Sequence, residues 1–220
     1  MATRARSLPQ QQRAREMRRR LLDTALKLVA KSGVESLTTQ AVADTAHVSI
    51  GTVYRYFPDR AAILAELVDE ATRDISFELV RGVSRALDRD VDAAAFIVVD
   101  TLTSAYEKHA AIVQAALASS SSGVPAYVNH TAMDEIERSL LPLAGAIPGR
   151  ARPDLSPPEL DDLVFLTMGL TSSACLRIAL QRPAGSDRAG MVALTAKMLV
   201  AALTPDLDPS VRRSHPDASR

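Results

Sequence analysis

From about residue 14 to residue 203, apolar side chains recur three and four positions apart, the spacing of one helix face. Nowhere do they alternate residue by residue, as a half-buried strand would require. Leu21, Ala25 and Leu28 fall on one face, and Leu22 and Val29 reinforce it. Gly33, just past Lys31, is the residue type that commonly closes a helix. Thr38 is a good N-cap for a short helix to about residue 46, and Ser49 for a second over 50–56. Pro58 breaks that helix, and Asp59 caps a long one over about 60–85. Further helices are predicted at about 90–109, with Ala94, Ile97, Val98 and Leu102 on one face, then at 110–117, 126–144, 159–181 and 187–203. The stretch 119–125 reads as a loop and 148–158 as a Pro- and Arg-rich linker. Residues 1–12 and 205–220 are polar and Pro-punctuated, the composition of disordered ends. The pattern predicts an all-α chain without internal repeats.

The chain has 220 residues, 47% of them apolar, enough for a sizeable core. Formal net charge is zero, but the charge is unevenly placed. Residues 1–60 hold eleven Lys or Arg against five Asp or Glu, and residues 61–220 hold fifteen against twenty-one. A basic N-terminal part on an acidic remainder points one end of the molecule at a polyanion. The one cysteine, Cys175, excludes a disulfide framework within the chain and fits a reducing compartment. The Arg- and Gln-rich start lacks the apolar region of a secretory signal. No uninterrupted apolar run approaches the roughly 20 residues of a membrane span. These features predict a cytoplasmic protein with no membrane partner.

Residues 38–60 read TTQAVADTAHVSIGTVYRYFPDR. Two short helices joined by a tight turn need a small apolar inner face on the first, and Val42 and Ala43 supply it. Val48 can point inward from the turn, and Val53 and Phe57, four apart, can anchor the second helix. A helix that enters a major groove needs small or polar residues at its leading end, and Ser49, Gly51 and Thr52 provide them. Tyr54 and Tyr56 can place hydroxyls on phosphates, and Arg60 brings a charge to a helix start.

The run Val48-Ser49-Ile50-Gly51-Thr52-Val53-Tyr54-Arg55-Tyr56-Phe57, with Arg60 beyond it, resembles the TetR-family signature Val-Ser-x-Gly-Thr-Leu-Tyr-x-Tyr/His-Phe followed by Lys or Arg. The resemblance covers roughly residues 14–70. It implies a three-helix DNA-binding domain with a helix-turn-helix, followed by a larger helical ligand-binding and dimerisation domain. The division expected is 1–12 arm, 13–60 DNA-binding domain, 61–204 effector and dimerisation domain and 205–220 tail. Residues expected at the DNA are Thr38, Thr39, Gln40, Ser49, Ile50, Gly51, Thr52, Tyr54, Arg55, Tyr56 and Arg60. Two departures stand out. His47 sits where many members have Gly, which asks His47 for a left-handed conformation. Ile50 replaces a commonly polar or basic residue and suits a thymine methyl. The run Arg18-Arg19-Arg20 is either a solvated face or a phosphate contact, and an arm bearing Arg4 and Arg6 could enter a minor groove.

The family implies dimerisation through the last two helices. Here Gly169, Thr171, Ser172, Ser173 and Ala174 allow close approach, and Leu170, Val192, Leu194 and Met198 are among those supplying apolar surface. An effector cavity is expected among the helices of residues 90–180. Its candidate lining is Phe96, Tyr106, Tyr127, Met133, Phe165 and Met168, which suits a small apolar or amphipathic molecule. No cofactor is expected. His130 and Asp134 have an i, i+4 spacing but no third ligand is evident, so no metal site is expected. The expected function is a transcriptional repressor released from its operator by a small effector. The alternative is a helical small-molecule-binding protein or enzyme without DNA binding, but no P-loop, nucleophile elbow or glycine fingerprint supports catalysis.

Overall fold

The computed structural model describes residues 10–119 and 144–204. The expected arm up to residue 9, nearly all of the expected helix 126–144 and the expected tail from 205 lie outside the described residues. The elements are α1 (Gln10–Ser32), a 3-10 turn (Val34–Ser36), α2 (Thr39–Thr45), α3 (Ile50–Tyr56), α4 (Arg60–Ala86), α5 (Val91–Lys108), α6 (Ala110–Ser119), α7 (Ala146–Ala151), α8 (Pro157–Gln181) and α9 (Arg188–Leu203). Among the described residues there is no strand, so the all-α class holds. Helix α1 begins at Gln10, so residues 10–12 are helical where an arm was expected.

The chain divides into two compact units, one from residues 1–73 and 109–133, the other from 74–108 and 134–220. In the first, α1, α2, α3, the first half of α4 and α6 share a core. Leu21, Leu22, Ala25 and Val29 of α1 meet Val42, Ala43 and Ala46 of the α2 segment, Val53 and Phe57 around α3, and Ile63, Leu64, Leu67 and Val68 of α4. Ile112 and Ala115 of α6 complete it. The compact unit therefore reaches past residue 60, where the sequence division had been drawn, because the apolar face of α4 continues the same core.

The second unit is built on α5, which packs against both α8 and α9. Val99, Tyr106, Cys175, Ile178, Val192 and Leu203 are among its buried side chains. Helices α4 and α5 cross closely at Gly82, where a Cβ would stand 2.8 Å from Thr101 Cγ2. Arg188 joins the start of α9 to α5: Nε donates to Glu107 at 2.8 Å, Nη1 to Asp100 at 2.8 Å and Nη2 to Ser104 at 2.8 Å.

Part of the expected linker 148–158 is the short helix α7. Its Ile147 joins Ala86, Ala94 and Leu203 in a small core, and Arg150 donates to the Arg89 carbonyl at 2.8 Å. Proline in the first turn of a helix forfeits no hydrogen bond, so Pro148 is tolerated. The next helix, α8, starts at Pro157, two residues before the predicted start. The Glu159 carboxylate accepts from the Ser156 amide at 2.9 Å and hydroxyl at 2.7 Å, closing the N-terminus ahead of Pro157 and Pro158.

By length and composition alone α8 is long and apolar enough to cross a membrane, its best 18-residue window having a mean hydropathy of 1.7 and being 28% buried, though its apolar run is interrupted. Thr, Ser and Gly break up its Leu and Phe residues, so no continuous apolar run catches the eye. Val164, Thr167, Thr171, Cys175 and Ile178 pack inward. The other face stays exposed, with Phe165 at 76% and Leu170 at 70%.

Candidate nucleic-acid interface

Local chemistry builds the two short helices as the sequence implies. The Thr38 hydroxyl accepts from the Ala41 amide at 2.9 Å and starts α2; the Ser49 hydroxyl accepts from the Thr52 amide at 3.2 Å and starts α3. Between them the chain reverses at His47, whose φ is 52°. The Val48 amide donates to the Ala43 carbonyl at 3.0 Å and the His47 amide to the Asp44 carbonyl at 3.1 Å. That pair of bonds is a Schellman ending, which needs a left-handed residue where His47 stands. Asp59 starts α4 by accepting from the Ala62 amide at 2.8 Å.

The inner face of α3 is closed. Val53 and Phe57 are 0% and 1% exposed, and Ile50 and Tyr56 lean half-buried on the same core. The outer face presents Ser49, Gly51, Tyr54 and Arg55 to solvent. Thr39 at the start of α2 donates to the Tyr54 hydroxyl at 3.4 Å, so the two helices form one polar ridge. Thr38 and Gln40 extend that ridge, and Gln40 donates to Asp44 at 2.8 Å. The Ser49 and Thr52 hydroxyls lie 2.9 Å apart. The Arg55 guanidinium lies 5.8 Å from the Tyr56 ring centre. Arg60, at the first position of α4, is 3.9 Å from Glu35, both side chains well exposed. Thr39 and Tyr54 thus join across the two helices, Thr38, Gln40, Ser49, Gly51 and Arg55 are exposed, and Ile50 and Tyr56 share their side chains with the core.

Residues from the run 18–20 support this surface from behind. Arg18 donates through Nε to Glu66 at 2.9 Å and through Nη2 to the other carboxylate oxygen, while Nη1 donates to the Tyr56 carbonyl at 3.2 Å. Its guanidinium lies over the Phe57 ring, 4.7 Å from the centroid. The hydrogen bond to Glu66, working against partial desolvation, raises the Arg18 pKa above its ordinary value. Arg20 donates to the carbonyl of Ala46, the C-cap of α2. A basic run beside a core heptad reads equally well as a solvated face, and the carbonyls it caps are 26 and 38 residues away, beyond any local pattern.

Four of the six effector candidates lie among the described residues. Tyr106 is buried and its hydroxyl lies 2.9 Å from Ser172 Oγ. Met168 is half-buried, Phe96 is 45% exposed, and Phe165 lies on the outer face of α8, away from the core. Tyr127 and Met133 are outside the described residues. Burial pushes the Cys175 thiol up to about 11, so it stays protonated and unreactive near neutrality.

A capped short helix, a left-handed turn and a second short helix with a closed inner and polar outer face define a helix-turn-helix protein of the DNA-binding type. Residues 21–67 match the profile described as "Bacterial regulatory proteins, tetR family". Residues 21–67 thus carry a DNA-binding module of the TetR family. Over 50 residues it is 46% identical to the "HTH-type transcriptional repressor KstR" of Mycobacterium tuberculosis, covering 23% of either chain. Over 87 residues it is 31% identical to the "HTH-type nicotine-responsive transcriptional repressor HdnoR" of Paenarthrobacter nicotinovorans, covering 39% of this chain and 43% of that one. The match therefore spans less than half the length of either relative. The fold is similar, at a TM-score of 0.60 and 16% identity, to the transcriptional regulator FadR of Bacillus subtilis in complex with stearoyl-CoA, covering 84% of this chain and 98% of that one.

Proposed function

We propose that the protein is a dimeric operator-binding repressor, released from DNA by a small apolar or amphipathic effector, with no catalytic role. The observation that carries the DNA half is the polar ridge of Thr38, Thr39, Ser49, Gly51, Thr52 and Tyr54 on a helix-turn-helix whose inner face is closed by Val53 and Phe57. In this reading Gln40, Arg55, Tyr56 and Arg60 hold phosphates, while Ile50 and Thr52 face base edges. The uneven charge supports it, since the basic part of the chain is the part that carries the motif.

The exposed apolar face of α8 and α9, with Phe165, Leu166, Leu170, Leu194 and Met198, supports a second copy of the chain as its cover. A symmetric dimer presents two reading heads to half-sites about 34–36 Å apart. The effector reading rests on the second unit and on the likeness in fold to a regulator seen with stearoyl-CoA. Phe96, Tyr106, Tyr127, Met133 and Met168 remain its proposed lining, with the Tyr106 hydroxyl and Ser172 as a polar point, while Phe165 belongs to the dimer face. Such a protein works in the cytoplasm.

Selecting bound sequences from random duplex DNA tests the reading. The expected product is an inverted repeat with half-sites about one helical turn apart. Compounds that raise the melting temperature should then weaken binding to that duplex about 5–150-fold. A protein that enriches no sequence, or one whose ligands leave operator affinity untouched, would overturn the corresponding half.

A further inference from the structure

We infer that Arg18 is a positioning residue for the recognition helix and not a phosphate contact; the inference rests on the operator-binding reading. Helix α3 has seven residues, too short to hold itself together. Its last carbonyls have no partner within the helix and carry the negative end of its dipole. Arg18, reaching from α1, supplies a cation and a donor at that end: Nη1 meets the Tyr56 carbonyl, and the guanidinium plane covers Phe57, the C-cap residue. The remaining edge of the guanidinium is locked by Glu66 of α4 through Nε and Nη2. One side chain thus ties α1, α3 and α4 together at the point where the recognition helix ends.

Geometry and charge both separate this role from a phosphate contact. Three of the five guanidinium N–H groups already donate within the chain, and the Nε–Nη2 edge is filled by Glu66, so a phosphate gripping that edge would have to displace the carboxylate. The charge that DNA would meet is largely cancelled by the Glu66 carboxylate. Arg19 offers a comparison at the next position. It pairs with Glu70 of α4 and Asp23 of α1 rather than with α3, so its loss removes similar charge without loosening the recognition helix.

The two roles predict opposite signs for one substitution. If Arg18 met a phosphate, Glu66→Gln would unmask it and tighten binding. If Arg18 positions α3, Glu66→Gln frees the guanidinium and weakens binding. The experiment titrates the selected duplex with wild type, Glu66→Gln, Arg18→Lys, Arg18→Gln and Arg19→Gln, far below their melting temperatures and at several salt concentrations. We expect Glu66→Gln, Arg18→Lys and Arg18→Gln each to bind about tenfold more weakly, because lysine keeps the charge but lacks the fork. The slope of log affinity against log salt should stay at the wild-type value for Arg18→Lys and Glu66→Gln, as no phosphate contact is lost. Arg19→Gln sets the size of the general charge effect, expected near twofold. Tighter binding by Glu66→Gln, or wild-type affinity for Arg18→Lys, overturns the inference while leaving the operator reading intact. A wild-type protein that selects no duplex overturns the operator reading and this inference with it.

Discussion

Gly51 occupies the second position of α3, and a Cβ there would come no nearer than 4.0 Å to the Ser49 hydroxyl. Nothing inside the chain asks for glycine at this place, and its φ is not in the left-handed region. Glycine within a helix costs roughly 0.5–1 kcal/mol relative to alanine. The physical reason to keep it is a close approach from outside, which the operator reading supplies. Gly51→Ala should therefore stabilise the fold by about 0.5–1 kcal/mol in chemical denaturation and weaken binding to the selected duplex at the same time. A variant that is more stable and binds as well as wild type would remove the argument for a close backbone approach here. Ile50 marks the limit of residue-level reading. Its side chain is half-buried against the core, so only part of it remains to meet a thymine methyl.

At the level of elements, caps and breakers were the most legible features. Thr38, Ser49 and Asp59 each accept the amide bond expected of them, and α2, α3 and α4 begin within a residue of their predicted starts. Such bonds span three residues and leave their mark in the local sequence. The left-handed turn was legible for the same reason, as a single residue departing from a familiar pattern. Helix α7 was not, because what holds it is Ile147 in a core formed with Ala86, Ala94 and Leu203, contacts more than 50 residues apart in the chain. The Arg18 and Arg20 caps were illegible on the same grounds. The turn yields a test of its own. His47 at φ 52° bears strain that glycine would avoid, and a left-handed conformation disfavours an ordinary residue by about 1–2 kcal/mol. His47→Gly should raise stability by about 0.5–1 kcal/mol, once the added freedom of the unfolded chain is set against the relief. His47→Val should lower it, since a β-branched side chain tolerates this conformation worst. Equal stabilities for the glycine and valine variants, measured by urea denaturation, would show that the turn is not the strained point.

For the molecule as a whole, the outstanding feature is the outward face of α8, which a single chain leaves apolar and open. Its exposed positions include Asp162, Phe165, Leu166, Gly169, Leu170, Ser173 and Arg177. Their order is self-complementary under a two-fold axis that sets two α8 helices antiparallel, with the axis between Gly169 and Leu170. In that register Leu170 meets the partner's Gly169, Leu166 meets the partner's Ser173 and Phe165 meets the partner's Ala174, each a large side chain against a small one. Asp162 then meets the partner's Arg177 at both ends of the contact. A shift by one turn in either direction would set Phe165 against a larger partner than Ala174 and separate the charges. An isologous interface repeats each pair twice, so a single charge reversal converts two attractions into two repulsions. With exposed pairs contributing about 0.2–1 kcal/mol each, Asp162→Arg or Arg177→Asp should weaken the dimer about 10–100-fold. The double variant Asp162→Arg with Arg177→Asp should restore it, since the pairs re-form with their signs exchanged. Sedimentation equilibrium over a range of protein concentrations reads the three dissociation constants against that of wild type. Single variants that dimerise as tightly as wild type, or a double variant that fails to recover, would exclude this register, and a wild type that stays monomeric would exclude the dimer itself.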